Sequence, residues 1–211
     1  MPQVLRTDLI DVHGRLYELQ LQEEHLIGAV AAGLAAKASC TANHPANFPG
    51  LAMWAEIVRS LRDSLLPQGW VSADLKGLPL VVRGDGLIAI CVASGDEGTG
   101  SLDDELTPST RHPKGIATLA IVERNAFLPF EHIPEVARDS SATSTWFLLH
   151  YRKGDEIICE LSHPVRMNDS GFVDEWDERI ILTSISLDPA RMPVLDASPV
   201  ESEVVIRRRE A

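Results

Sequence analysis

Ser94-Gly95-Asp96-Glu97-Gly98-Thr99-Gly100 gathers small residues, a hydroxyl and two carboxylates into one short run, and Thr110-Arg111-His112-Pro113-Lys114-Gly115 follows with cations. Glycines let a backbone approach a ligand closely. Successive N–H groups, with the Thr99 and Ser101 hydroxyls, make the kind of nest that holds an anion. Arg111, His112 and Lys114 would converge on that anion, while Asp96 and Glu97 would hold a divalent cation beside it. The chemistry this suits is binding of a phosphate-bearing small molecule, or metal-dependent phosphodiester hydrolysis with the cation activating water. Two observations oppose it. The Gly-Lys-Ser/Thr ending of a P-loop is missing and no helix is expected to follow. A long connection without apolar periodicity is also what a solvated acidic surface loop looks like.

The remaining acids offer little more. Asp85, Glu123 and Glu160 are the other carboxylates near strand-like runs, and Glu160 stands among Ile157, Ile158, Cys159 and Leu161. A nuclease core would place a lysine two positions after a strand acid. Glu160 is followed by Leu161 and Ser162, and the nearest match is Asp74-Leu75-Lys76 beside a turn. The histidines show no zinc-ligand spacing, and His150 lies within a strand-like run. A nucleophile elbow, G-x-S-x-G, is absent, with Ser94-Gly95 only a fragment of it. Cys40, Cys91 and Cys159 form no C-x-x-C pair, and the latter two read as small buried hydrophobes. No catalytic residue, metal ligand or cofactor is assigned.

The elements that must position these residues divide into a helical region, 1–68, and a β-rich region, 69–211, that carries the long 94–115 loop. Leu5, Leu9, Val12, Leu16, Leu19, Glu23, Leu26 and Val30 follow heptad spacing. They predict one long helix whose Leu9, Leu16, Leu19 and Leu26 face a partner helix. Gly28 and Gly33 mark a close helix contact or a break. A second helix runs from about Pro49 to Leu66, with Leu51, Trp54, Val58, Leu61 and Leu65 inward, and Pro67-Gln68-Gly69 stops it.

Strands are expected at Leu78–Arg83 and Leu87–Ala93 around the turn Gly84-Asp85-Gly86, and at Ile116–Val122. A second hairpin, Thr145–Tyr151 with Glu156–Leu161, turns at Lys153-Gly154-Asp155, and Arg179–Ile185 adds a strand. The run Ile88–Val92 is apolar on both alternating sets, so it belongs at the centre of a sheet covered on both faces. Asn125–Ser144 reads as a connector and Glu203–Arg207 as a last strand-like piece. The expected class is α+β: two N-terminal helices followed by a mainly antiparallel sheet.

Composition narrows the function classes. The chain has 211 residues and a formal net charge of -12, from 31 acidic and 19 basic side chains. That balance argues against general nucleic-acid binding, which depends on neutralising phosphates, and suits a basic protein partner. No apolar run is long enough to span a membrane. The N-terminus lacks signal-peptide character, so the chain is expected in the cytoplasm. Trp176, among Asp174, Glu175, Asp177 and Glu178, is a candidate contact anchor. The Arg207-Arg208-Arg209 cluster could touch an acidic patch on a second subunit. The function expected from these features is non-catalytic protein interaction or regulation, of the antitoxin, immunity or accessory-subunit kind, with self-association through the first helix. The alternative is an enzyme or sensor built on the 94–115 loop.

Overall fold

A computed structural model describes residues 3–103, 106–127 and 143–188. The connector between 128 and 142, the 203–207 piece and the arginine cluster at 207–209 lie outside the described residues.

The chain opens with a short strand, β1 (Val4–Arg6), and a helix, α1 (Leu9–Glu18). Asp8 caps α1, its side chain accepting from the N–H groups of Ile10 and Asp11, which satisfies donors that a helix start leaves unpaired. The expected single helix does not continue. Gln20 adopts φ 60, a left-handed conformation, and a new helix, α2 (Glu23–Ala38), starts after it. The gain is packing: Leu19 and Leu21 are both buried, although two residues two apart on a helix point about 200° away from each other. The heptad leucines therefore serve the chain's own core. Leu16, Leu19 and Leu26 are buried, Leu9 is 61% exposed, and Leu5 belongs to β1.

Helix α3 (Phe48–Leu65) forms where the second helix was expected, and Gly69, at φ 87, ends the short 3-10 turn that closes it. Gly33 marks a close approach between α2 and α3. A Cβ there would run into the Ile57 side chain and the Met53 carbonyl.

The sheet comprises β1, β2 (Val71–Leu75), β3 (Leu78–Val82), β4 (Ile88–Ser94), β5 (Ser144–Lys153), β6 (Glu156–Met167) and β7 (Val173–Ser186). Its order is β1-β7-β6-β5-β4-β3-β2. The fold is α+β, but the sheet is mixed rather than mainly antiparallel, because β1 with β7 and β4 with β5 pair in parallel. Parallel neighbours cannot be joined by a hairpin and need a crossover. Helix α4 (Ile116–Phe127) supplies it, at the place where a strand was expected. The β-branched run Ile116–Val122 is ambiguous by composition. The buried set Thr118, Ile121, Val122 and Asn125 nevertheless has the i, i+3, i+4, i+7 spacing of one helix face.

Helices α1–α3 cover one face of the sheet. Val12, Leu16, Leu26, Ile57 and Leu61 join Ile90, Trp146, Leu148, Leu161 and Ile180 in one apolar cluster. On the other face Ile121 and Val122 of α4 meet Cys91, Ala93, Phe147, Leu149 and Trp176. Strand β4 is buried from Ile88 to Ala93, as its two-sided apolar pattern predicts. Burial pushes the Cys91 and Cys159 thiols up to about 12, so both remain protonated and behave as small hydrophobes.

Candidate functional site

The described residues of the 94–115 segment, 94–103 and 106–115, are tied to the sheet at several points. Gly95 pairs with Thr110 as an isolated bridge, and the Arg111 N–H donates to the Ser94 carbonyl. Thr110 exchanges hydrogen bonds with the Val173 backbone, and Trp176 Nε1 donates to the Pro108 carbonyl at 2.7 Å. Trp176 is thus a buried loop anchor, not a surface contact for a partner.

Beneath the loop sits a buried ion pair. Glu160 and Arg179 project from β6 and β7 at 0% and 2% exposure, with Arg179 Nη2 at 2.7 Å from Glu160 Oε2. The same Oε2 accepts the Gly100 N–H at 2.7 Å, Oε1 accepts from Ser162 Oγ at 2.8 Å, and Arg179 also donates to the Gly98 carbonyl. Glu160 is therefore neither solvent-facing nor placed to reach a substrate. Its charge is spent on the guanidinium and on a loop amide, the condition under which a buried charge is tolerated.

The expected ligand-binding residues separate. Asp96 Oδ1 accepts the Gly98 and Ser109 N–H groups, so its carboxylate closes the loop on itself. Glu97, Arg111 and His112 are exposed, and Thr99 is buried. The Lys114 backbone N–H donates to Gly171, and burial holds its ammonium below the ordinary lysine range, partly offset by Cys91. No hydrogen bond or ion pair among the described residues joins Asp96 or Glu97 to Arg111, His112 or Lys114. Nor, among the described residues, do three or more His, Cys, Asp or Glu side chains gather closely enough to hold a metal ion.

The surface that stands out lies on α1. Val12 and Leu16 anchor the helix to the core while Ile10 and Tyr17 are each 83% exposed. Seven residues apart, they share one side of the helix. Beside Tyr17 a groove of about 510 Å³ opens between α1, α2 and β7, floored by Leu16, Leu21 and Ile27. Glu23 shapes its rim, accepting the Thr183 N–H through Oε1 and meeting His13 Nε2 through Oε2 at 3.0 Å. Burial would raise the Glu23 pKa, but these bonds outweigh it and hold the carboxyl below its ordinary value. Since β1 pairs only with Glu178–Ile180 of β7, the Glu23 contact also blunts the strand edge beyond it.

On the other flank of α1, about 450 Å³ of hollow is walled by Arg6, Asp8, Asp11, Arg15 and Glu18. There Arg6 and Arg15 both donate to the buried Glu178 carboxylate, which ties β1 and α1 to β7. Burial alone would lower the Arg15 pKa, and the hydrogen bonds and charge of Glu178 more than offset that. The ridge is thus rigidly mounted between an apolar groove and a charged hollow. Neither Ile10 nor Tyr17 falls on the heptad positions read from the sequence. Only the break at Gln20 reveals which side of α1 is left uncovered.

No helix of the described residues is long and apolar enough to cross a membrane. No protein-family model matches the chain, and neither a curated protein nor a solved structure does.

Proposed function

We propose that this chain is a protein-interaction or regulatory subunit, of the antitoxin, immunity or accessory kind, that docks a protein partner on the α1 ridge and its apolar groove. The observation that supports the reading is the pair Ile10 and Tyr17, large apolar side chains exposed on one side of a helix whose opposite side is anchored in the core. Large apolar side chains exposed beside a groove floored by Leu16, Leu21 and Ile27 are the kind of surface that marks contact sites. Burial of each side chain would contribute roughly 1.5–3 kcal/mol before ordering costs are subtracted. The net charge of -12 favours a basic partner and a salt-sensitive association rate. Self-association is the other form of the same reading, with Leu9 as the one exposed residue of the predicted seam.

The test compares the unmodified protein with the double variant Ile10→Asp/Tyr17→Asp by light scattering and by affinity capture from native extract. Both substitutions fall on exposed positions, so the fold survives. The reading expects a dimer or a captured partner that the variant loses. A monomer that captures the same proteins with and without the substitutions refutes it.

A further inference from the structure

Away from α1 and the loop, three neighbouring strands bring together a serine, a histidine and an aspartate. His163 Nδ1 lies 2.7 Å from Asp177 Oδ1, and His163 Nε2 lies 2.9 Å from Ser144 Oγ. An ionised carboxylate only accepts, so Nδ1 carries the proton; the neutral ring then offers Nε2 as an acceptor, and Ser144 donates to it.

Backbone irregularity makes this contact. In the β6–β7 register His163 faces Glu178 and Pro164 faces Trp176, which leaves Asp177 as an extra residue on β7. A bulge of this kind re-aims a side chain, here toward the histidine. His163 is 1% exposed and Trp146 packs against it with ring centroids 5.1 Å apart, so the imidazole is held in place and shielded from water. Ser144, at the start of β5, is only half-buried. The arrangement is the hydroxyl of a half-buried serine, a shielded base and an orienting carboxylate, the three roles of a nucleophilic triad.

We infer that Ser144 is an activated nucleophile toward carboxylic esters, with His163 as its general base and Asp177 as a positioning residue. Ser144 Oγ attacks the ester carbonyl carbon, a new Oγ–C bond forms, and the hydroxyl proton passes to His163 Nε2. The ester C–O bond breaks, and the departing alkoxide takes that proton and leaves as the alcohol. Water then attacks the acyl-Ser144 carbonyl with His163 again as base, releasing the carboxylic acid and restoring the hydroxyl. The N–H groups nearest the nucleophile are already committed: Ser144 N–H donates to the Leu87 carbonyl and Thr145 N–H to Asn125 Oδ1 at 3.0 Å. Loss of one oxyanion donor slows such reactions about 10²–10³-fold, so acylation and deacylation are both slow; an activated ester, whose good leaving group speeds only the first, lets acyl-Ser144 accumulate.

The experiment treats the full chain with a fluorophosphonate probe and, separately, with p-nitrophenyl acetate, and maps adducts by peptide mass spectrometry. The expected result is an adduct on Ser144, lost in Ser144→Ala and formed about 10²-fold or more slowly in His163→Gln. Asp177→Asn should also slow labelling, because the asparagine amide donates to Nδ1 and moves the ring proton to Nε2, a change read by ¹⁵N NMR of His163. Asp177→Glu should restore part of the rate, which a merely structural contact would not do. Circular dichroism confirms that each variant is folded. If His163→Gln fails to fold, the ratio of Ser144 to Ser184 labelling decides, since Ser184 is an exposed strand serine. Labelling of Ser144 no faster than Ser184, or equally fast in folded His163→Gln, overturns the inference.

Discussion

Glu160→Ala should be among the most destabilising single substitutions in this protein, and the reason is countable. The variant removes the carboxylate that faces Arg179 at 2.7 Å and leaves a guanidinium 2% exposed without its counter-ion. Breaking a buried pair from one side costs about 3–5 kcal/mol. The Gly100 N–H and the Ser162 hydroxyl lose their acceptor in the same step, which places the cost at the upper end. Against a typical total of about 5–15 kcal/mol, that is enough to unfold part of the population under mild denaturant. Arg179→Met should cost a similar amount by leaving Glu160 buried and unpaired. The double variant Glu160→Met/Arg179→Met should recover much of the loss, since a buried pair replaced by apolar side chains of similar volume is often nearly neutral. It would retain a deficit of about 1–3 kcal/mol from the orphaned Gly100 amide. Urea unfolding followed by tryptophan fluorescence measures all three, and Trp176 reports on the loop through its bond to Pro108. Native-state hydrogen exchange should show the amides of 95–103 and 106–110 opening first. Single variants costing under about 1 kcal/mol, or a double variant as costly as the two singles added, would refute the view that this pair holds the loop.

Two further outcomes follow from burial. His150 is held down to about 4 by burial, with Lys37 and Lys114 adding to the effect. Above about pH 6.5 it is neutral in both folded and unfolded chains. As pH falls from 6.5 toward 4 only the unfolded chain takes up the proton, so stability drops by about 3 kcal/mol at most over that window. Chemical denaturation of the unmodified protein and of His150→Leu at pH 7 and pH 4.5 checks this, the variant losing less stability on acidification. Leu16→Ala should cost about 2–5 kcal/mol as a core truncation, read as a lower midpoint in thermal or urea unfolding. Unchanged stability with a shift from dimer to monomer would instead return Leu16 to an intermolecular seam.

Local pattern carried the parts of this protein whose cause is local. Helix α3 was legible from the spacing of Val58, Leu61 and Leu65, the hairpins from Gly84-Asp85-Gly86 and Lys153-Gly154-Asp155, and the central place of β4 from an apolar run with no polar face. Tertiary structure decided the rest, because the competing local answers were nearly equal in energy. Heptad spacing through Gln20 suits a continuous helix, yet a left-handed residue there buries Leu19 and Leu21 together, a gain that exists only once the sheet is present to receive them. Ile116–Val122 suits a strand, yet parallel pairing of β4 with β5 requires a crossover. The glycine-rich loop suits a ligand cradle, yet its amides and carbonyls are taken by Glu160, Arg179 and Trp176 from strands far along the chain. Ser144, His163 and Asp177 carry no spacing signal at all. They meet because strand register and one bulge set them side by side, and register across a sheet is a property of the folded chain rather than of any segment of it.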